Sequence, residues 1–219
     1  IGNENVTITD TPAAAELNTI AAATSGKVTA TLVNSTTIDQ AAVTALKDVK
    51  TTDGIAFTPT GSTAETADAA ILVAINKIIS DTNFAAVATI TAAAADVALV
   101  KEALTYALTE VPAEDPAVTI TGAISAADLN TIAKGTTGIV KATLSSDTPL
   151  NAATVKALKD VNSKDDIKFE VTEVKSKEEI SALLAIKKLI PSADFTKVET
   201  IEADAADVAL VKEALKYAT

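Results

Sequence analysis

"VTITDTPAAAELNTIAAAT" at residues 6–24 and "VTITGAISAADLNTIAKGT" at residues 118–136 carry one pattern twice. In each, apolar residues alternate with Thr, a short break follows, and apolar residues then recur at helical spacing, as Leu17, Ile20 and Ala21 do. Alternation with period two marks a strand with one buried face, and spacing of three and four marks an amphipathic helix. The stretch is a βα unit, and the chain contains it more than once.

Shifting the chain on itself by 112 residues sets Leu17-Asn18-Thr19-Ile20 on Leu129-Asn130-Thr131-Ile132 and "ALKDV" at 45–49 on "ALKDV" at 157–161. After a one-residue deletion the offset is 111, and "ADVALVKEAL" at 95–104 falls on the same ten residues at 206–215. Identity at surface as well as core positions indicates duplication. The boundary is expected in the Pro- and acid-rich "TEVPAEDPA" at 109–117, giving copies at 1–111 and 112–219.

Each copy subdivides again. The strand-like runs are "NVTIT", "KVTATLV", "IAFTPT" and "AVATIT" in the first and "AVTIT", "IVKATL", "IKFEVT" and "KVETIE" in the second. Helical faces follow: Ala42, Leu46 and Val49; Ala67, Ile71, Ile75 and Ile78; Val97, Val100 and Leu104. Start signals are Thr11-Pro12, Ser125 with Asp128, and Ser176 with Glu179. The expected fold is therefore α/β, with eight βα units in two tandem four-unit copies. Strands separated by helices run parallel. An α/β solenoid-like arrangement fits best, because the strands alternate apolar with Thr, Lys or Glu and so read as wet on one face. A closed βα barrel is the alternative, but it would turn residues such as Glu170 into packed layers.

The composition narrows function by what it lacks. There is no Cys, Met, Trp, His or Arg, and the chain is free of sulfur. Such economy suits a protein made in large amounts and exported. A net charge of −11 opposes nucleic-acid binding, which needs clustered cations on phosphates, and disfavours anionic membranes. The longest apolar stretch, at 85–100, is too short and interrupted to span a bilayer. The chain opens at Ile1 without a visible signal peptide, so a processed protein or a piece of a longer one is expected.

Without His or Cys, imidazole bases, thiolate nucleophiles and the usual zinc sites are absent. The seven Gly form no dinucleotide or phosphate-loop spacing. No catalytic residue and no required cofactor is expected. Carboxylates remain: Asp53, Asp165 and Asp166 precede the third strand of each copy, where they read either as calcium ligands or as a polar turn. Lys47-Asp48 and Lys159-Asp160 recur at helix ends, where Lys suits the macrodipole. Thr7/Thr9, Thr29/Thr31, Thr58/Thr60 and Thr89/Thr91 form T-x-T on four successive runs, extended by Thr119/Thr121. On stacked parallel strands they would make rows about 4.7 Å apart, a surface suited to ice or glycans. The second copy breaks that array with Lys141, Glu170 and Glu202.

The opening "GNENVTITDTPAAAELNTIAAATSGKVTATL" resembles repeat modules of very large bacterial surface and secreted proteins, of the marine cyanobacterial type. Those carry units of the form G-N-E-x-V-T-[IL]-x-D followed by A-x-x-L-N-T-[IL]; the second copy has "AEDP" in place of the "GNE" lead. The acidic, sulfur-poor composition is also similar to that of S-layer proteins. The resemblance implies a cell-surface structural role and carries no catalytic residue; some proteins of that kind bind calcium. Duplication, economical composition, acidity and exposed strand edges add the expectation that the module associates with copies of itself as a homopolymer.

Overall fold

The computed structural model describes residues 2–33, 38–57, 65–79, 81–82, 84, 87–107 and 115–218. The chain divides into two compact units, Ile1–Thr91 with Ala98–Pro116, and Ala92–Val97 with Ala117–Thr219. The expected boundary at 111/112 lies outside the described residues. The second unit takes in a short piece from the end of the first copy.

In the first unit the order is β1 (Val6–Thr7), α1 (Ala14–Ala23), β2 (Val28–Thr31), α2 (Gln40–Ala45), β3 (Gly54–Phe57), β4 (Glu65–Asp68), α3 (Ala69–Ile78), β5 (Asp81–Thr82), β6 (Val87–Ala93) and α4 (Val97–Ala107). A parallel sheet runs β1-β2-β3-β5, and β4 pairs with β6, also in parallel. In the second unit the order is β7 (Ala117–Ile124), α5 (Ala126–Gly135), β8 (Val140–Leu144), α6 (Ala152–Ala157), β9 (Asp166–Phe169), β10 (Glu173–Val174), α7 (Lys177–Leu189), β11 (Thr200–Ile201) and α8 (Val208–Ala214). Here β7, β8 and β9 are parallel neighbours, and β10 pairs in parallel with β11. The fold is thus α/β with parallel sheets and eight α-helices among the described residues. The barrel alternative is corrected: no sheet among them closes on itself.

Period-two patterning accounts for the core. In β2, Val28 and Ala30 are buried and Thr29 and Thr31 exposed; in β9, Ile167 and Phe169 are buried and Asp166 and Lys168 exposed. Helices cover the apolar side, with Leu17 and Leu46 fully buried in the first unit and Leu129, Leu158 and Leu183 in the second. Each such side chain contributes about 1.5–3 kcal/mol on burial.

Eleven strands are present among the described residues where the sequence pattern predicts eight. In the first copy the described part of β3 ends at Phe57, β4 follows at Glu65, and β5 and β6 stand on either side of Phe84. In the second copy β9 ends at Phe169, and β10 begins at Glu173 after three residues outside any strand. The last strand begins there as a single bridge, Lys168 to Asp194, before Phe195 and β11. All four Phe of the chain lie at or near these strand ends, fully buried. Phe57 and Phe84 meet edge to face at 6.2 Å, and Phe169 and Phe195 stack at 4.3 Å.

Two local expectations differ. α3 buries Leu72, Val73 and Ile75, while Ile71 and Ile78 are half-buried; "AAILVAINKI" is apolar nearly all round, so periodicity does not select its face. α1 starts at Ala14, with Ala13 as its N-cap residue, and not at Thr11-Pro12. Pro12 is buried and its carbonyl accepts from the Val33 N–H at 3.1 Å, while Glu16 reaches back to accept from the Ala13 N–H at 3.0 Å. Ser125 and Ser176 cap as expected, accepting from the Asp128 and Glu179 N–H groups at 3.1 and 3.2 Å. Among the described residues no helix is long and apolar enough to cross a membrane.

Candidate functional site

The acidic candidates are taken first. Asp53 is buried, and its two carboxylate oxygens accept from the main-chain N–H groups of Val28 and Lys50, both at 2.9 Å. Asp165, 112 residues later, does the same with Val140 at 2.8 Å and Asn162 at 2.7 Å. Each carboxylate ties the turn before one strand to the first residue of its neighbour. Burial pushes the Asp165 carboxyl above the ordinary Asp range, while the two amides pull it the other way. Asp166 is exposed at the start of β9, in register with Lys141. Asp53 is in the first unit and Asp165 and Asp166 in the second. No group of three or more acidic residues is gathered to hold a metal ion among the described residues.

The recurring Lys-Asp pairs have a second partner that sequence reading missed. Asn18 Nδ2 donates to Asp48 Oδ2 at 2.9 Å, and the Asp48 N–H donates to Asn18 Oδ1 at 2.7 Å. Asn130 and Asp160 repeat this at 3.0 and 2.8 Å. The bracket joins α1 to the turn after α2, and α5 to the turn after α6. Lys47 and Lys159 only approach the same carboxylates, at 3.8 and 3.4 Å on the surface. Both Lys stand just past the ends of α2 and α6, as expected, and Lys50 adds a direct contact at another helix end, its ammonium donating to the Thr24 carbonyl at 2.6 Å at the end of α1. The recurrence of Asn18 with Asp48 at a fixed offset was the available signal.

The threonine array is shorter than expected. Thr7 and Thr29 are direct neighbours in register, and Thr9 and Thr31 extend them; all four are exposed. On β3, however, the residues opposite Thr29 and Thr31 are Gly54 and Ala56. Thr58 and Thr60 lie outside the described residues. Thr89 and Thr91 belong to β6, which pairs with β4 and not with the β1-β2-β3-β5 sheet; both are half-buried, and Thr91 donates to the Ala67 carbonyl at 3.4 Å. Among the described residues the exposed threonines gather at β1 and β2, and Thr89 and Thr91 stand on a strand that does not pair with them.

A polar cleft in the second unit is lined by Asp166, Lys187, Ser192, Asp194, Lys216 and Tyr217. Lys187 and Asp194 already have partners. Lys187 donates to the Pro191 and Ala193 carbonyls at 2.6 and 2.7 Å and stands 5.4 Å from the Tyr217 ring centre. The Thr196 N–H holds the Asp194 carboxyl below the usual range. Among the described residues no buried side-chain nitrogen or oxygen lacks a partner.

The remaining feature is apolar. Val208 is 63% and Leu215 50% exposed. Their counterparts 111 residues earlier, in the same ten-residue sequence, are Val97, half-buried, and Leu104, 2% exposed. α4 extends from Val97 to Ala107, whereas α8 ends at Ala214. Leu104 is thus inside its helix, while Leu215, in the same ten-residue sequence, stands just past the end of α8. Comparison with protein-family models, curated proteins and solved structures finds no match for the chain.

Proposed function

We propose that the chain is a structural, non-enzymatic module of a bacterial cell-surface assembly, such as an S-layer, an extracellular filament or a giant adhesin, and that it associates with copies of itself outside the cell. One observation carries this reading. The residues that recur between the copies make the same scaffold bonds in both: Asp53 and Asp165 on amides, Asn18 and Asn130 on Asp48 and Asp160. Repetition here preserves a framework. A solenoid-like continuation, with further βα units added in series, suits open parallel sheets and small-residue helices. The net charge of −11 favours solubility between assembly events and gives calcium a general role in screening, without a dedicated site.

Purified protein examined over a concentration series, by sedimentation and negative-stain microscopy with and without calcium, tests the reading. Sheets, filaments or concentration-dependent oligomers are expected. A sealed monomer at high concentration under both conditions overturns the assembly part. Use of the threonine patch for ice or glycans is the other reading, supported by exposed Thr7 and Thr29 in register on β1 and β2 with exposed Thr9 and Thr31 just beyond.

A further inference from the structure

Within the second unit, a segment from the end of the first copy lies against β7. The Thr121 hydroxyl donates to the Ala92 carbonyl at 3.1 Å. Gly122, at φ 90°, permits close approach: a Cβ there would stand 3.2 Å from the Ala94 Cβ. The chain therefore contains one example of how residues 92–97 meet a "VTIT" strand.

Both halves of that contact exist a second time, each without its mate. The counterpart of residues 92–97 is 203–208, where residues 202–206 and Val208 are exposed, followed by Leu215. The counterpart of "VTIT" at 118–121 is "VTIT" at 6–9, where Thr7 and Thr9 are exposed. This first strand is held firmly from behind. Val6 and Ile8 direct their N–H groups to the Lys27 and Thr29 carbonyls of the β2 side, which turns the N–H of Thr7 to the free edge. Asn5 Oδ1 accepts from the Lys27 N–H at 2.8 Å, and the Thr24 hydroxyl donates to the Glu4 carbonyl at 2.7 Å.

We propose that a second copy of this chain docks its residues 5–9 along residues 202–208, covering Val208 and Leu215. The contact is heterologous and so can propagate from copy to copy. It rests on the self-association reading above and names the surface that reading requires. Thr9 takes the place of Thr121 and Ala203 that of Ala92. One substitution sets its strength: Asp10 stands where the internal contact has Gly122, and Asp204 where it has Ala93. A side chain and a second negative charge at the closest point make the contact between copies weaker than the internal one.

The test compares wild type, Asp10→Gly, Leu215→Lys and the double variant by sedimentation over a concentration series, with circular dichroism to confirm folding. Asp10→Gly should associate roughly tenfold more tightly. Leu215→Lys, at an exposed site, should stay folded and associate less, and the double variant should lose the gain. If wild type assembles but neither substitution alters it, this surface is wrong and the self-association reading stands. If wild type is monomeric and Asp10→Gly associates in a Leu215-dependent way, the surface stands and native assembly falls. If all four remain monomeric at about millimolar concentration, both fall, since even weak heterologous contacts register there.

Discussion

Asn130 and Asp160 exchange two hydrogen bonds across thirty residues of chain, Nδ2 to Oδ2 at 3.0 Å and Asp160 N–H to Oδ1 at 2.8 Å. The Asn130 amide holds the Asp160 carboxyl below the ordinary Asp range, with Lys159 acting in the same direction. A carboxyl whose folded value lies below its unfolded one contributes stability above the unfolded value and loses it as pH falls through the folded one. Asn130→Leu should lower the urea midpoint at neutral pH. The gap from wild type should narrow as pH falls through the lowered folded value of the carboxyl, where the charged bond is lost. It should not close, because the main-chain bond to Oδ1 does not titrate. A gap that is flat across pH would show that the carboxylate takes no part.

Asp165 serves two amides from a position 1% exposed. Asp165→Ala strands both donors and should cost about 2–5 kcal/mol. Asp165→Asn, which keeps one acceptor and turns an NH2 toward the other amide, should fall between. Calcium titration followed by calorimetry provides the companion check: metal binding that survives Asp53→Asn and Asp165→Asn together would place any calcium elsewhere.

The Phe pairs should behave alike in scale and differ in coupling. Phe84→Ala or Phe195→Ala should cost about 3–5 kcal/mol. A double-mutant cycle on Phe169 and Phe195 should return about 0.5–1.5 kcal/mol of pairwise coupling. Additive effects in that cycle would mean that the rings merely fill volume.

Much of the architecture was legible because period and duplication are strong signals. β2, β8 and β9 fall where alternation sets them, and Ser125 and Ser176 cap as their spacing indicates. The break after Phe169 was not legible, because an aromatic in an alternating run reads as one more buried strand residue. The register was hidden for a related reason. Only pairing across strands reveals that Gly54 and Ala56 stand beside Thr29 and Thr31. α8 is the sharpest case, since its seven residues match the first seven of α4, which continues to Ala107.

Close approach of chains predicts a further defect. A Cβ at Gly26 would lie 2.2 Å from the Glu4 carbonyl oxygen and 2.7 Å from that of Asn3. Gly26→Ala should displace residues 3–4, loosen β1 and speed amide hydrogen exchange at Val6 and Ile8, with the second unit unaffected. Unchanged exchange at those two amides would mean that the strand is anchored elsewhere.

The threonine patch can be examined alone. Thr29→Lys and Thr31→Lys point to solvent and should shift stability by no more than about 0.5 kcal/mol. Thermal hysteresis in wild type, lost in these variants, would favour ice binding over the structural reading.

The brackets that hold each copy together close within it: Asn18 reaches Asp48, Asp53 reaches Val28, Asn130 reaches Asp160, and Asp165 reaches Val140. A recombination event that gains or drops one whole copy would sever none of these ties. Lineages could therefore lengthen or shorten such a gene in register without first evolving a new core, and its variation among strains should appear as changes in copy number more readily than as drift within a copy.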